Sequence, residues 1–369
     1  MISSIGSAQN KTEDIIADLN FVQHKELPAI LQAQFGNFES KKIRIIKTET
    51  FPYSTIRIIQ LSNGQDTPIR LFLKRITIPN KEASFIQQAL GKETELLQCL
   101  NRKMEGETVE HVYTSLQHQT IVTRECAGIA LESSINAYSF WWHNGRRSSA
   151  LRHTLPALCG NWLKRYHETT LQKDKDLTPW YNYLSGEMIW RARQLKDLLS
   201  DHTSLLESLV ENFTRDLKLL DQFGSISSYH GDFAPHNIFY KQQNICIIDF
   251  FGARTGHPII DLINFIASIA SRAESPLYPG TRIRTFCYQF MKSYGTTLES
   301  EQKLVSLLLQ LQAVKRLLVL TNNRQSGLVE KIAAKRAIGW HLQYLKNSLT
   351  RKNVRGDRGP WPFLFLDTL

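Results

Sequence analysis

Residues 227–262, SSYHGDFAPHNIFYKQQNICIIDFFGARTGHPIIDL, bring together many side chains that could do chemistry. Three aspartates and three histidines lie between apolar runs within this stretch. Carboxylates and imidazoles at this density are typical of a hydrolytic metal cluster or a phosphoryl-transfer site, and ordinary turn chemistry also uses them. The elements that position these side chains must decide between these possibilities.

The second half of this stretch predicts a short hairpin. Ile238–Tyr240 and Ile245–Ile248 are apolar strands around a polar turn. If the turn is symmetric, Asn237 and Asp249 arrive together at the open end, with Cα atoms within about 5–6 Å. A carboxylate and an amide oxygen at this spacing suit a hard cation such as Mg²⁺.

Asp232 precedes Asn237 by five residues, across a loop that Pro235 stiffens. It can reach the mouth of the same site without being a metal ligand. A loop aspartate that accepts a hydroxyl proton, beside two residues that hold a metal, is the arrangement that phosphoryl transfer requires.

The first third of the chain is rich in predicted strands, at Lys42–Lys47, Thr55–Leu61 and Ile69–Ile76. Asn63-Gly64 is a strong hairpin signal between the last two, because both residues accept positive φ. In the third strand the alternation places Lys74 on the face opposite the aliphatic row.

A helix is predicted over Lys81–Lys103, and Glu93 falls on its apolar stripe. A carboxylate on a buried face is costly unless it is paired, so Lys74 on the adjoining sheet is the expected partner. The alternative is that the helix begins at Gly91 and that Glu93 only decorates its first turn.

Further strands are predicted at Val109–Ser115 and Gln119–Glu125, and the chain is mostly helical after Gly128. A helical extension is expected at 14–34. A β-rich first third and a helical remainder predict two lobes with a cleft between them.

These motifs resemble the aminoglycoside phosphotransferase and choline kinase family. The family pattern is HGDxxxxN, then an apolar strand ending in IDF or IDW, then GxPxxDL. It is matched by His230, Gly231, Asp232 and Asn237, by Ile248, Asp249 and Phe250, and by Gly256, Pro258, Asp261 and Leu262. Three linked motifs at these spacings are a specific signal.

The resemblance implies an α+β, bilobal protein-kinase-like fold with a small β-rich N-lobe and a larger helical C-lobe. The expected divisions are an extension at 1–40, the N-lobe at 41–125 and the C-lobe at 126–369. The implied activity is ATP-dependent transfer of the γ-phosphate to a hydroxyl. Asp232 would be the catalytic base, and Asn237 and Asp249 the Mg²⁺ ligands.

The resemblance also implies that Lys74, paired with Glu93, contacts the ATP phosphates. Glu125 and Cys126 would form the hinge beside adenine, while His230 and Asp261 would brace the site. The phosphate-covering turn is expected at FPYST, where the hydroxyls of Ser54 and Thr55 replace glycine as donors.

Two alternatives remain. The glycine-free turn motivates a catalytically weak, kinase-like nucleotide-binding module. A metallohydrolase would explain the histidines but leaves Lys74 and Glu93 without a purpose; its residues would be His230, Asp232, His236, Asp249 and His257.

Composition bears on partners and location. The net charge of +11 favours anionic partners. The basic tail from Lys331 is interpreted as a solvated helix face with a loose end, and peripheral contact with an acidic surface is the alternative. The tail carries no nucleic-acid motif. The five cysteines show no CxxC spacing and predict reduced thiols in a cytoplasmic protein. No signal peptide is evident, and Leu304–Leu320 is expected to be a core helix, not a membrane span.

The acceptor is expected to be a small polar molecule. Aromatic residues could stack on a sugar or enclose a quaternary amine, whereas nearby arginines favour an anionic acceptor. The aromatic residues are Trp141, Trp142, Trp180, Tyr181, Tyr183 and Trp190, and the arginines are Arg146, Arg147, Arg191 and Arg193.

Overall fold

The structure is a computed structural model, and its chain divides into two compact units. The first contains Met1–Ala127 and Cys246–Phe251, and the second contains Gly128–Ile245 and Gly252–Leu369. The sequence expectation put all of 126–369 in one lobe, whereas residues 246–251 group with the first unit. The structure describes residues 26–35, 43–62, 68–139, 146–274, 280–295, 301–322 and 327–350.

The first unit is built on a five-stranded antiparallel sheet with strand order β1-β2-β3-β5-β4. Its strands are β1 (Ile43–Phe51), β2 (Ser54–Leu61), β3 (Ile69–Ile76), β4 (His111–Ser115) and β5 (Thr120–Arg124). The predicted hairpin between β2 and β3 is confirmed by the pairing of Leu61 with Ile69, while Asn63-Gly64 lies outside the described residues.

One face of this sheet is covered by helix α1 (Glu26–Phe35). Leu27 and Leu31 of α1 are fully buried in a core with Leu71 and Leu73 of β3. The expected N-terminal extension is therefore, over its described part, a component of the sheet's core. Residues 14–25 of that expected helix lie outside the described residues.

Helix α2 (Ala83–Lys103) buries Ile86, Leu90, Glu93, Leu97 and Leu100, which are the residues of one stripe. Glu93 is only 4 % exposed. The alternative in which the helix begins at Gly91 is wrong, because α2 starts eight residues earlier.

The segment 246–251 joins the first unit through the backbone. The Val109 N–H donates to the Ile247 carbonyl at 2.9 Å, and the Ile247 N–H donates to the Glu107 carbonyl at 3.1 Å. Cys126 and Cys246 form a disulfide with their Cα atoms 6.2 Å apart, within the usual range for such a bond. The prediction of reduced cysteines is wrong for these two; Cys99, Cys159 and Cys287 are free.

The second unit is mainly helical. Its helices are α3 (Leu131–Ser139), α4 (Arg146–Thr169), α5 (Thr178–Leu198), α6 (Thr203–Lys218), α7 (Ile259–Ala270), α8 (Gly280–Tyr294), α9 (Gln302–Asn322) and α10 (Leu328–Thr350). Among the described residues, α9 is the one helix long and apolar enough to cross a membrane, but 72 % of its most apolar window is buried inside the protein. Its burial is that of a core helix.

The described part of the chain also contains two three-stranded sheets. One has the order β10-β9-β6, with β6 (Ile129–Ala130), β9 (Ile238–Lys241) and β10 (Asn244–Ile247). The other has the order β11-β8-β7, with β7 (Gln172–Asp176), β8 (Phe223–Tyr229) and β11 (Arg254–Gly256). Sequence reasoning missed the second sheet because β7, QKDKD, has neither apolar alternation nor any buried side chain.

Candidate active site

The HGD loop leaves β8 at Tyr229 and turns through Gly231. Gly231 has φ +81°, and a Cβ at this position would collide with the backbone oxygen of Gly252. Only glycine fits such a close backbone approach at positive φ. The next residue but one, Phe233, is fully buried, and its ring stacks on Trp162 with centroids 5.6 Å apart. The loop is therefore anchored on both sides of Asp232.

Asp261 holds the same loop from α7. It is fully buried, and its two oxygens accept from the backbone N–H groups of His230, at 2.6 Å, and Gly231, at 3.0 Å. His167 Nε2 lies 3.2 Å from the same carboxylate, and its other ring nitrogen lies 2.9 Å from the Tyr294 hydroxyl. A buried carboxylate is stable only with such partners. The imidazole of His230 in turn accepts from the Asp232 N–H, at 3.3 Å.

Asp232 remains accessible, with a side chain 58 % exposed. Its Oδ2 accepts from Asn237 Nδ2 at 3.0 Å and lies 3.1 Å from His236 Nε2. Asn237 also donates to the Asp232 carbonyl at 2.9 Å. Asp232 Oδ1 has no hydrogen-bond partner in the described part of the chain, so one carboxylate oxygen is oriented and the other is open.

In the first unit, Lys74 and Asp249 form an ion pair with 2.7 Å between Nζ and Oδ1. Asp249 has φ +66°, in the left-handed region. Positive φ is uncommon outside glycine, and Asp and Asn adopt it more readily than most residues. The ammonium of Lys74 also lies 5.9 Å from the ring centroid of Phe251.

Glu93 lies within the electrostatic reach of this pair. Burial raises the pKa of Glu93 to about 7, and the Asp249 charge adds to that rise; the Lys74 charge and the Phe250 backbone N–H oppose it. Oε2 of Glu93 is buried without a hydrogen-bond partner in the structure. Within the described residues Lys74 forms its ion pair with Asp249, and the pairing of Lys74 with Glu93 stays a prediction.

The remaining predicted nucleotide-site residues lie at the ends of strands. Ser54 is buried and follows the two-residue turn Pro52-Tyr53; it pairs with Phe51, and Thr55 pairs with Thr50. The Glu125 N–H donates to the Arg70 carbonyl at 2.9 Å. Cys126 is held by its disulfide, and its partner Cys246 lies three residues before Asp249.

The predicted residues thus fall into two sets. The first unit brings together Lys74, Glu93 and Asp249, and the second brings together His230, Asp232, Asn237 and Asp261. The approach of Asn237 to Asp249 stays a prediction. Among the described residues, no group of three or more His, Cys, Asp or Glu side chains is arranged to hold a metal.

Sequence reasoning could not show the distant contacts of two further residues, His167 and Lys315. His167 follows Tyr166 near the end of α4, and nothing in that spacing shows that it contacts Asp261, 94 residues away. Lys315 interrupts the apolar pattern of α9, which is the one signal that a sequence reader has for it. Trp141 and Trp142 lie outside the described residues.

Comparisons with known proteins agree on the class of this site. Residues 140–294 match the model of the phosphotransferase enzyme family. No curated protein matches the sequence.

Solved structures with a similar fold are small-molecule kinases. A glucosamine kinase is 13 % identical with a TM-score of 0.51, and the alignment covers 89 % of this chain and 98 % of that chain. Glucosamine kinase in complex with glucosamine, ADP and inorganic phosphate is 12 % identical with a TM-score of 0.52 and coverages of 84 % and 83 %. An amicoumacin kinase in complex with AMP-PNP, Ca²⁺ and Ami is 15 % identical with a TM-score of 0.50 and coverages of 88 % and 96 %.

At these identities the likeness shows the fold, and it confirms the predicted α+β, protein-kinase-like architecture. The match of residues 140–294 to the phosphotransferase family model confirms the resemblance that the motifs predict, and it supports the predicted enzyme class.

Proposed function

We propose that the protein is an ATP- and Mg²⁺-dependent kinase that transfers the γ-phosphate to a hydroxyl of a small polar molecule. The observation that carries the proposal is the loop around Asp232. Asp261 fixes its backbone, Asn237 orients one oxygen of its carboxylate, and the other oxygen is open. This is the geometry of a positioned proton acceptor.

In the proposed reaction, Asp232 accepts the proton of the acceptor hydroxyl as the hydroxyl oxygen attacks the γ-phosphorus. The bond between the γ-phosphorus and the β–γ bridging oxygen breaks, and ADP leaves. The Asp232 side chain is exposed enough to meet a substrate. The bond between Asn237 Nδ2 and Asp232 limits the carboxylate to few orientations, which removes entropy before the reaction begins. His230 and Asp261 act on the loop backbone, so they position Asp232 without touching the reacting atoms.

The nucleotide side of the proposal uses Lys74, Glu93 and Asp249. Lys74 is already directed at an anionic oxygen, and ATP phosphates would compete with Asp249 for its ammonium. After that exchange Glu93 would be the ion-pair partner of Lys74, and Asp249 would no longer be paired with Lys74. Ser54 and Thr55 would donate hydroxyl hydrogens to phosphate oxygens, and Glu125 and Cys126 would lie beside adenine.

We propose that Asp249 and Asn237 would hold a magnesium ion, because the donor atoms of each residue suit this cation. Asp249 offers a carboxylate, and Asn237 offers an amide oxygen that takes no hydrogen bond within the described ranges, because its Nδ2 makes the contacts to Asp232. Hard oxygen donors of this kind are what Mg²⁺ prefers. When bound, the ion neutralises charge on the transferring phosphoryl group. Among the structural neighbours, one kinase is a complex with ADP and inorganic phosphate and another with AMP-PNP and Ca²⁺, which supports this cofactor set.

The proposal is tested by ADP release from ATP and Mg²⁺ in the presence of a panel of sugars, polyols, amino alcohols and nucleosides. Asp232→Asn should lower kcat by about 100-fold, which is typical of removing a positioned base, and should keep nucleotide binding. Asp216→Asn, which neutralises an exposed carboxylate on α6, is the matched control and should leave kcat unchanged. Near-normal turnover in Asp232→Asn would refute the proposed base.

The nucleotide-binding module remains the second candidate, because the turn at Pro52-Tyr53 contains no glycine. Tight AMP-PNP binding with no acceptor-dependent ADP release across the panel would favour it.

A cytoplasmic location belongs to the main proposal. Because disulfides are rare in the cytosol, the redox state of Cys126 and Cys246 in cells tests that location. Peripheral docking through the basic tail is a further part of the proposal, and its test is binding to anionic vesicles.

A further inference from the structure

One face of α5 carries a row of polar side chains, at the i, i+4 and i+8 positions Tyr183, Glu187 and Arg191. Arg191 donates from both Nε and Nη2 to a single oxygen of Glu187, at 3.1 and 2.8 Å. Both side chains are about one-fifth exposed, at 22 % and 23 %. The charge of Arg191 is therefore largely balanced by Glu187.

This row is connected to the catalytic loop through β11. The guanidinium of Arg254 lies 4.5 Å from the ring centroid of Tyr183. Arg254 is the register partner of Tyr229, the last residue of β8 before His230-Gly231-Asp232. Tyr229 and Tyr183 also influence one another electrostatically. The polar face of α5 and the loop thus border the same region of the second unit.

Lys315 completes the set from α9, which packs against α5. Its charge interacts with Arg191, Glu187 and Asp232. It forms no hydrogen bond or ion pair within the part of the chain that the structure describes. Burial and, to a smaller extent, the Arg191 charge lower the pKa of Lys315 to about 8, against the opposing charges of Glu187 and Asp232. The ammonium therefore lies within electrostatic reach of the Asp232 carboxylate, and among the described residues it forms no ion pair with it.

The charges in this region do not balance. The cations of this region are Arg191, Arg254 and Lys315, which we call the cationic cluster, and its carboxylates are Glu187 and Asp232. Glu187 is engaged by Arg191, and Asp232 is held by Asn237. Arg254 and Lys315 have no ion pair within the described residues. A site built in this way attracts an anion and repels an amine.

We propose that the cationic cluster binds an anionic substituent, a phosphate or a carboxylate, on the hydroxyl acceptor, with Lys315 as its main specificity-determining residue. The inference rests on the proposed kinase function, and it names the acceptor class for the same site. The anionic group would pair with Lys315 and Arg254. A hydroxyl elsewhere on the same small molecule would then meet the open oxygen of Asp232.

The first test compares matched acceptors in the full chain by ADP release. Each of several scaffolds (hexose, pentose, glycerol, inositol) is supplied in neutral, aminated, carboxylated and phosphorylated form. We expect the anionic members to have the highest kcat/KM. Lys315→Gln should raise KM for them by about 10- to 100-fold, the loss typical of a hydrogen bond to a charged group, with kcat much less affected.

The control is Lys303→Gln, which removes an exposed charge from the same helix and should change nothing. Lys315→Arg should restore part of the affinity. Equal or better turnover of neutral or aminated members, abolished by Asp232→Asn, would overturn the anionic acceptor and leave the kinase function standing. Turnover that survives Asp232→Asn would overturn the kinase proposal itself.

A second measurement does not require an acceptor that the protein phosphorylates. With the nucleotide site saturated by AMP-PNP and Mg²⁺, inorganic phosphate should raise the Tm of the wild type more than that of Lys315→Gln, since only binding to the folded state stabilises it. Equal rises in the two proteins, or no rise in either, would overturn the proposed anion site even if the kinase reaction is established with another acceptor.

Discussion

The ammonium of Lys315, which forms no ion pair among the described residues, should cost folding stability, and Lys315→Met should recover it. The substitution keeps the length of the side chain and removes the charge. Because burial lowers the pKa of Lys315 from an ordinary 10.5 to about 8, and each pK unit corresponds to about 1.36 kcal/mol, the upper limit of the gain is about 3.4 kcal/mol. The side chain keeps partial access to water, so we expect about 1 to 2 kcal/mol.

The stability difference between wild type and Lys315→Met should depend on pH. Below pH 8 Lys315 is protonated in both states, and the folded state bears the whole cost. Between about pH 8 and 10.5 the unfolded chain binds more protons than the folded one, so the wild type gains stability as pH rises. The advantage of Lys315→Met should therefore be greatest at pH 7 and shrink towards pH 10.

Urea unfolding of wild type and Lys315→Met at both pH values measures the difference directly, and titrations common to both proteins cancel. Lys303→Met, at an exposed position of α9, serves as the control and should show no such difference. A variant that is less stable than wild type at pH 7, or whose advantage is the same at pH 10, would refute the reasoning. A more stable variant that loses affinity for anionic acceptors would be a stability–function exchange of the kind found at binding sites.

Three further predictions concern the rest of the described chain. Asp261→Asn replaces one acceptor of the loop N–H groups by a donor, so kcat should fall by about 100-fold and stability by about 2 to 3 kcal/mol; steady-state kinetics and urea unfolding measure both, and an unchanged kcat contradicts the bracing role. Arg316→Met leaves Glu274 buried without its 2.7 Å ion pair, at a cost of about 3 to 5 kcal/mol at pH 7. Burial alone would raise the pKa of Glu274, but its hydrogen bonds and ion pair outweigh burial and lower the pKa. The cost of Arg316→Met should therefore diminish as pH falls below 4.5. A cost that does not change with pH contradicts this. Cys126→Ser should lower stability by about 2 to 4 kcal/mol, and reductant should lower the wild type equally; a wild type insensitive to reductant contradicts the disulfide with Cys246.

The features that the sequence predicted well are those that repeat at short range. Alternation in β3 placed Lys74 opposite the aliphatic row, and Leu71 and Leu73 are indeed buried. Helical periodicity placed Glu93 on the buried stripe of α2. The HGD loop and the IDF strand are also local patterns, because their backbone conformation restricts which residue types fit. The positive φ of Gly231, for example, requires glycine.

The features that it missed depend on residues far apart in the chain. The choice of Lys74 between Glu93 and Asp249 is made by folded-state geometry, with Asp249 lying 175 residues beyond Lys74. The disulfide joins cysteines 120 residues apart, and no spacing rule connects them. β7 forms although its side chains are all exposed, because pairing with β8 satisfies its backbone. The sequence shows Lys315 as an interruption of the apolar pattern of α9, but it does not show which residues lie near Lys315 in the folded chain.

The membership of residues 246–251 in the first unit has a consequence for biosynthesis. When Ala127 leaves the ribosome, the backbone groups of Glu107 and Val109 still lack their partners on Ile247. Cys126 must also wait for a cysteine 120 residues later; at about 5 to 20 residues per second, that interval is roughly 6 to 24 s. The small unit is therefore completed only when half of the large unit has been translated, and a fragment ending at residue 127 would carry Lys74 without Asp249.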